Sequence, residues 1–173
     1  MKKGIEMLKA MRKRGWEEIC SNFIIGLPGD TWDDIRETFN FADNLRRDGL
    51  LDYVLFSIAP PLPGTELADT ALAGGYLPDD FDPDEFYGFG KGMITTEHFT
   101  PMELQVLRAY EWDRINFRSE EDKIRTARML GITLKELDVW RQETRRETGV
   151  HVSSADTTDV EQEENSKLVE LAT

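Results

Sequence analysis

The sequence predicts an α/β fold with parallel strands, followed by an all-helical extension. Three observations carry this reading. Two short apolar runs, at residues 19–25 and 53–59, lack the alternation of a one-sided strand, so each predicts a strand covered on both faces. A segment of helical periodicity joins them, and strand, helix, strand is the order of a parallel unit. Beyond residue 96 the chain carries repeated helix-start signals and no further strand-like run.

Residues 3–14 place Ile5, Leu8 and Met11 at intervals of three, which predicts an amphipathic helix stopped at Gly15. After the first strand comes Gly26-Leu27-Pro28-Gly29-Asp30-Thr31, a glycine-rich turn that runs straight into the next helix. Thr31 is its expected cap, and with Asp34 three residues on it resembles a capping box whose acid is shorter than the usual Glu or Gln. Ile35, Thr38, Ala42 and Leu45 mark the buried face, and Gly49 the exit. The second strand must stop at Pro60-Pro61-Leu62-Pro63, because proline cannot donate to a sheet ladder.

A short helix over residues 65–73 ends at Gly74-Gly75, and residues 76–94 read as loop, pinned to the core by Phe81, Phe86, Tyr87 and Phe89. The strongest local signal follows. Thr100 caps a helix, Pro101 suits its first position, Glu103 completes the box and Phe99 staples onto Leu104. Ser119 caps the next helix, which ends near Gly131; Thr133 and Glu136 repeat the box, with Ile132 facing Leu137. The chain thus divides into an α/β part at 1–95, a helical extension at 96–149 and an acidic, disordered tail at 150–173.

A net charge of −13 opposes binding to a phosphate backbone. The basic residues Lys2, Lys3, Lys9, Arg12, Lys13 and Arg14 cluster near the start, which is more simply a solvated helix face than a nucleic-acid site. No apolar run approaches the ~20 residues that span a bilayer, and residues 1–10 lack an export signal, so a cytoplasmic protein is expected. Cys20 is the single cysteine, which excludes an intrachain disulfide and a thiolate cluster built from this chain alone. It is expected to be a small buried hydrophobe, since neither His98 nor His151 is near it in sequence.

The segment Asn22-Phe23-Ile24-Ile25-Gly26-Leu27-Pro28-Gly29 has neither a GxGxxG nor a Walker pattern. Its glycines at the carboxyl end of a parallel strand suit a small-molecule site, because ligands of such sheets sit there and glycine admits close backbone approach. The plain alternative is a tight strand-to-helix turn.

The run FIIGLPGDTWDDI, the later LDYVLFSIAPPLPGTEL and AGGYL, and the segments ITTEHFTPMEL and AYEWDRINF resemble the C-terminal half of a radical SAM domain, most closely that of B12-binding radical SAM enzymes. The resemblance covers roughly residues 3–118. It implies a partial (β/α) barrel of which this chain carries the last two parallel strands and their helices. It also implies S-adenosylmethionine, a [4Fe-4S] cluster and cobalamin as cofactors of the whole enzyme, acting on a small-molecule substrate. Carried over position by position, it sets Ile24 and Gly26 beside the adenine and brings backbone groups of Ile58, Ala59 and Pro60 toward it. Asn22 and Gly29 depart from the family's first Gly and its Glu.

The family's CxxxCxxC loop, its first strands and its cobalamin domain have no counterpart in the sequence. The chain is therefore expected to be inactive alone and to need either the missing N-terminal half or self-association. Other readings compete: a stand-alone, non-catalytic interaction domain; for the C-terminal helices, a cap on the barrel or a partner-docking extension, which fits better than a DNA reader; and two readings from local pattern. DKIRTARMLGITLKELDVWRQE has the cadence of a helix-turn-helix, with Lys135, Arg141, Arg145 and Arg146 near its second helix, although bases and acids balance there. The acids at 79–85 suggest a carboxylate hydrolase, but no histidine or oxyanion device accompanies them.

Overall fold

The computed structural model describes residues 2–82 and 90–146. Its order is α1 (Lys2–Lys13), β1 (Cys20–Ile25), α2 (Trp32–Arg47), β2 (Tyr53–Ile58), α3 (Glu66–Ala73), α4 (Pro101–Asn116), α5 (Glu120–Leu130) and α6 (Leu134–Arg146). The two strands pair in parallel, with Phe23 opposite Phe56 and Ile25 opposite Ile58. Phe86, Tyr87, Phe89 and the tail expected to be disordered lie outside the described residues.

Helices α2 to α6 begin where their cap chemistry dictates. Thr31 accepts from the Asp34 amide, and the Asp34 carboxylate does reach back, accepting from the Thr31 N–H at 2.8 Å. The box is closed despite the shorter acid, and Asp34 also accepts a hydrogen bond from the Thr31 hydroxyl at 2.6 Å. Thr100 with Glu103 and Thr133 with Glu136 form the same reciprocal pairs, Thr65 and Ser119 cap α3 and α5, and Gly131 ends α5 in the left-handed conformation.

The core forms on one side of the sheet. Phe39 of α2 packs on Phe56 with ring centroids 4.6 Å apart, Phe23 meets both Phe41 and Phe56, and Ile25, Ile35, Val54 and Ile58 close the layer. Helix α4 runs along the outer side of β2. Trp112 donates to the Tyr53 hydroxyl at 2.8 Å, and Asn116 bonds the Val54 backbone. One continuous apolar cluster joins strand, α2, α4, α5 and α6 residues, so the core runs across position 95.

The opposite face is largely uncovered, as expected of two strands with too few helices to cover both sides. Cys20, Asn22, Ile24 and Leu55 share it and are exposed, Ile24 to 54% and Leu55 to 43%. Helix α2 covers one face; on the other, Trp112 reaches the Tyr53 hydroxyl at the start of β2 and Met129 approaches Cys20, while Ile24 and Leu55 stay exposed. Cys20 is exposed rather than buried, for the same reason.

Candidate functional site

Both sequence-singled turns leave the sheet at one end, after β1 and after β2. The Ala59 N–H donates to the Ile25 carbonyl at 2.9 Å, which ties the first residue beyond β2 to the last residue of β1. Gly26 therefore lies level with Ala59. In the turn after β1 the Asp30 carboxylate accepts from the Gly26 N–H at 3.0 Å and from the Leu27 N–H at 2.9 Å, which holds a tight loop ahead of the Thr31 cap.

The five residues assigned to the adenine do not share one surface. Ile24 projects from the uncovered face, beside its register partner Ser57. Ile58 lies on the other face and, like Ala59, is 1% exposed; Pro60 is half-buried. Gly26 is buried, with φ +79°, and a Cβ there would stand 2.5 Å from Leu104 Cδ1. Its lack of a side chain thus admits α4 rather than leaving a vacancy for a ligand, while the space around Gly29 is open. What remains accessible at this end is the Ile24 side chain, the 41% exposed Leu27 and the polar pair Asn22–Ser57.

That pair is reciprocal. Asn22 Nδ2 donates to Ser57 Oγ at 3.0 Å, and the Ser57 hydroxyl donates to Asn22 Oδ1 at 3.2 Å. It sits among Ile24, Leu55 and Cys20, giving an apolar ledge with one polar centre. The pattern suits a planar, partly apolar ligand oriented by a few hydrogen bonds. The Cys20 thiol is held above its ordinary pKa, first by partial burial and then by Asp52 and Glu18, which disfavours the thiolate. Its Sγ approaches Met129 Sδ at 3.7 Å.

No thiolate cluster fits this chain, which has one cysteine against the three a site-open [4Fe-4S] cluster takes. His98 stands on an exposed loop against Glu97, and His151 is outside the described residues. Among the described residues no group of His, Cys, Asp or Glu could hold a metal ion. No described helix is long and apolar enough to cross a membrane.

Sequence reading missed a buried polar assembly at the other end of the strands. The Asp52 side chain, 2% exposed, accepts from the Ile19 N–H at 2.8 Å and from Arg12 at 2.5 Å, and also pairs with Arg125. Arg46 similarly bonds the Leu51 and Asn116 carbonyls and Asp122. The one available signal was a carboxylate set immediately before an apolar strand. Two of the three arginines near the second helix of the helix-turn-helix reading are engaged within the chain: Arg141 grips Asp113 at 2.6 and 3.1 Å and lies over the Phe117 ring, and Arg145 approaches Asp113.

No protein-family model matches the chain. No solved structure matches it. Over 73 residues, 42% of the chain, it is 38% identical to an uncharacterized methyltransferase of Pyrococcus horikoshii, and the matched segment spans 15% of that protein.

Proposed function

We propose that this chain forms the adenine-side flank of the S-adenosylmethionine site of a radical SAM enzyme, with a methyl-transfer reaction as the class its relative's name suggests. The [4Fe-4S] cluster, and the cobalamin that the resemblance implies, would be held by chain other than this one. The observation that carries the reading is the meeting of the GLPG and PPLPG turns at one end of a parallel strand pair, fixed by the bond from Ala59 to Ile25. The half-uncovered sheet face beside that end, with Ile24 and the Asn22–Ser57 pair on it, supports the same reading.

S-adenosylmethionine suits these residues: Ile24 and Leu27 offer apolar surface to an adenine ring, and Asn22 carries both a donor and an acceptor. The chain's part is to bind and orient; the bound cofactor would supply the radical or methyl chemistry. The test is a titration of the isotope-labelled chain with S-adenosylmethionine, followed by amide chemical shifts. Weak binding with shifts confined to Asn22, Ile24, Gly26, Leu27 and Ser57 is expected. No shift at millimolar cofactor, or shifts centred on α5 and α6, would remove the proposal.

A further inference from the structure

The turn between β1 and α2 fills from within the seat that turns of its kind offer to anions. The Gly26 and Leu27 N–H groups are adjacent donors at the carboxyl end of a parallel strand, an arrangement that receives phosphate in other folds. Here both converge on one oxygen of the Asp30 carboxylate, at 3.0 and 2.9 Å. Neighbouring donors are taken as well. The Asp30 N–H bonds the Leu27 carbonyl at 3.0 Å, the Thr31 N–H bonds the Asp34 carboxylate, and the Asp34 N–H bonds the Thr31 hydroxyl. The carboxylates of Asp30, Asp33 and Asp34 crowd this corner, and the nearby Arg36 guanidinium is paired with Asp33 at 3.2 Å.

We propose that Asp30 is a positioning and specificity-determining residue of the S-adenosylmethionine site, holding Leu27 toward the ligand and making this end of the sheet select an uncharged aromatic base over a phosphate. The inference rests on the reading of this end as the adenine-side flank. With its N–H drawn to Asp30 and its carbonyl to the Asp30 N–H, Leu27 has both backbone polar groups turned into the loop, and its side chain is left 41% exposed. Gly26, at φ +79°, makes the reversal that brings the two amides to one oxygen.

What the turn shows a ligand is therefore hydrocarbon backed by negative charge. An oxyanion finds there neither a free donor of the Gly26–Leu27 pair nor a favourable field, whereas the face of a purine needs neither. S-adenosylmethionine carries a neutral base and a sulfonium cation and no phosphate, so its chemistry matches. A phosphate-bearing ligand held through this turn does not.

The amide-shift titration, extended to inorganic phosphate and to variants of the turn, tests it. In the wild type, S-adenosylmethionine should move the Gly26 and Leu27 amides, and inorganic phosphate at the same millimolar concentration should move neither. Asp30→Ala should speed hydrogen exchange at both amides at least about tenfold and weaken cofactor binding about fivefold. Asp30→Asn should rescue both properties, since one amide oxygen can still accept from the two N–H groups. Leu27→Ala should weaken binding by a similar factor, and Asp30→Ala added to it should weaken binding little further, because Asp30 acts through Leu27. A purely structural Asp30 would lower the urea midpoint of unfolding without that non-additivity. Phosphate shifts centred on Gly26 and Leu27 in the wild type overturn the proposal, as do full cofactor affinity in Asp30→Ala or Leu27→Ala and losses that simply add. In each of these cases cofactor binding by the wild type leaves the site itself standing, whereas a wild type silent to S-adenosylmethionine removes the site and this inference together. The phosphate titration and Leu27→Ala decide the matter even where Asp30→Ala fails to fold, since neither alters Asp30.

Discussion

The side-chain amide of Asn116 stands where a neighbouring strand's peptide would stand, accepting from the Val54 N–H and donating to the Val54 carbonyl, both at 2.9 Å. Nδ2 also donates to the Trp112 carbonyl, and Asn116 is 0% exposed. Helix α4 thereby closes the sheet at β2, while among the described residues no strand pairs with the outer edge of β1.

Asn116→Leu should lower stability by about 2–4 kcal/mol, because it leaves the buried N–H and C=O of Val54 unpaired. Asn116→Asp should also destabilise, since a carboxylate accepts from the Val54 N–H but repels the two carbonyls that Nδ2 now serves. Urea unfolding measures both. A cost for Asn116→Leu within a few tenths of a kcal/mol would mean that water replaces the amide and that the edge is not closed.

Gly26→Ala should cost about 1–3 kcal/mol through its positive φ and its clash with Leu104. Combining it with Leu104→Ala separates the two causes. The clash is relieved in the double variant and the backbone strain is not, so the combined loss should fall short of the sum of the single losses. Strict additivity would show that Leu104 does not press on Gly26.

The parts legible in the sequence were those encoded by neighbours a few residues apart. Thr100 with Glu103, Ser119 and Gly131 fixed helix ends, and the apolar runs gave both strands and their parallel order. Which strand face lies open was not legible, because an apolar run reports what a strand could bury and not which face has a layer to bury it. Ile24 and Leu55 look the same in sequence as Ile25 and Phe56. Of the candidate site, the turns were legible and the facing of individual side chains was not: Gly26 suggested room for a ligand, and Leu104, far off in sequence, fills it. Asp52 and Asn116 likewise act on partners that no local pattern links to them.

Acid should loosen the helix starts. Asp34 and Glu103 are held below their ordinary values of 3.8 and 4.5 first by the side-chain bonds to Thr31 and Thr100, and Glu136 below 4.5 first by the Thr133 backbone N–H. A carboxyl group depressed in the folded state adds stability that is complete above its unfolded value and is lost as pH falls through the folded one. Unfolding midpoints for the wild type and Glu103→Gln should therefore differ at neutral pH and converge in acid. Curves that stay parallel throughout the acid range would show that the box contributes no pH-dependent stability.

The pairing of Arg141 with Asp113 bears on the role of the two C-terminal helices. A helix-turn-helix needs its second helix to offer arginines to DNA, yet Arg141 is bidentate to Asp113, bonds Asp138 at 3.0 Å and sits 4.8 Å over Phe117, while Arg145 leans on the same Asp113. These contacts fasten α6 to α4, and the buried Leu137 and the Trp112–Trp140 edge contact at 5.1 Å complete the seam. Arg141→Ala should therefore cost about 1–2 kcal/mol of stability, part of it lost packing on Phe117. A double-mutant cycle with Asp113→Ala should return a coupling energy of at least about 0.5 kcal/mol, because the pair is bidentate and largely shielded from solvent. Duplex DNA at physiological salt should show no sequence-selective shift with either protein. Selective binding by the wild type that Arg141→Ala abolishes without loss of stability would reverse the assignment, freeing α6 from its docking role and making it a reader of DNA.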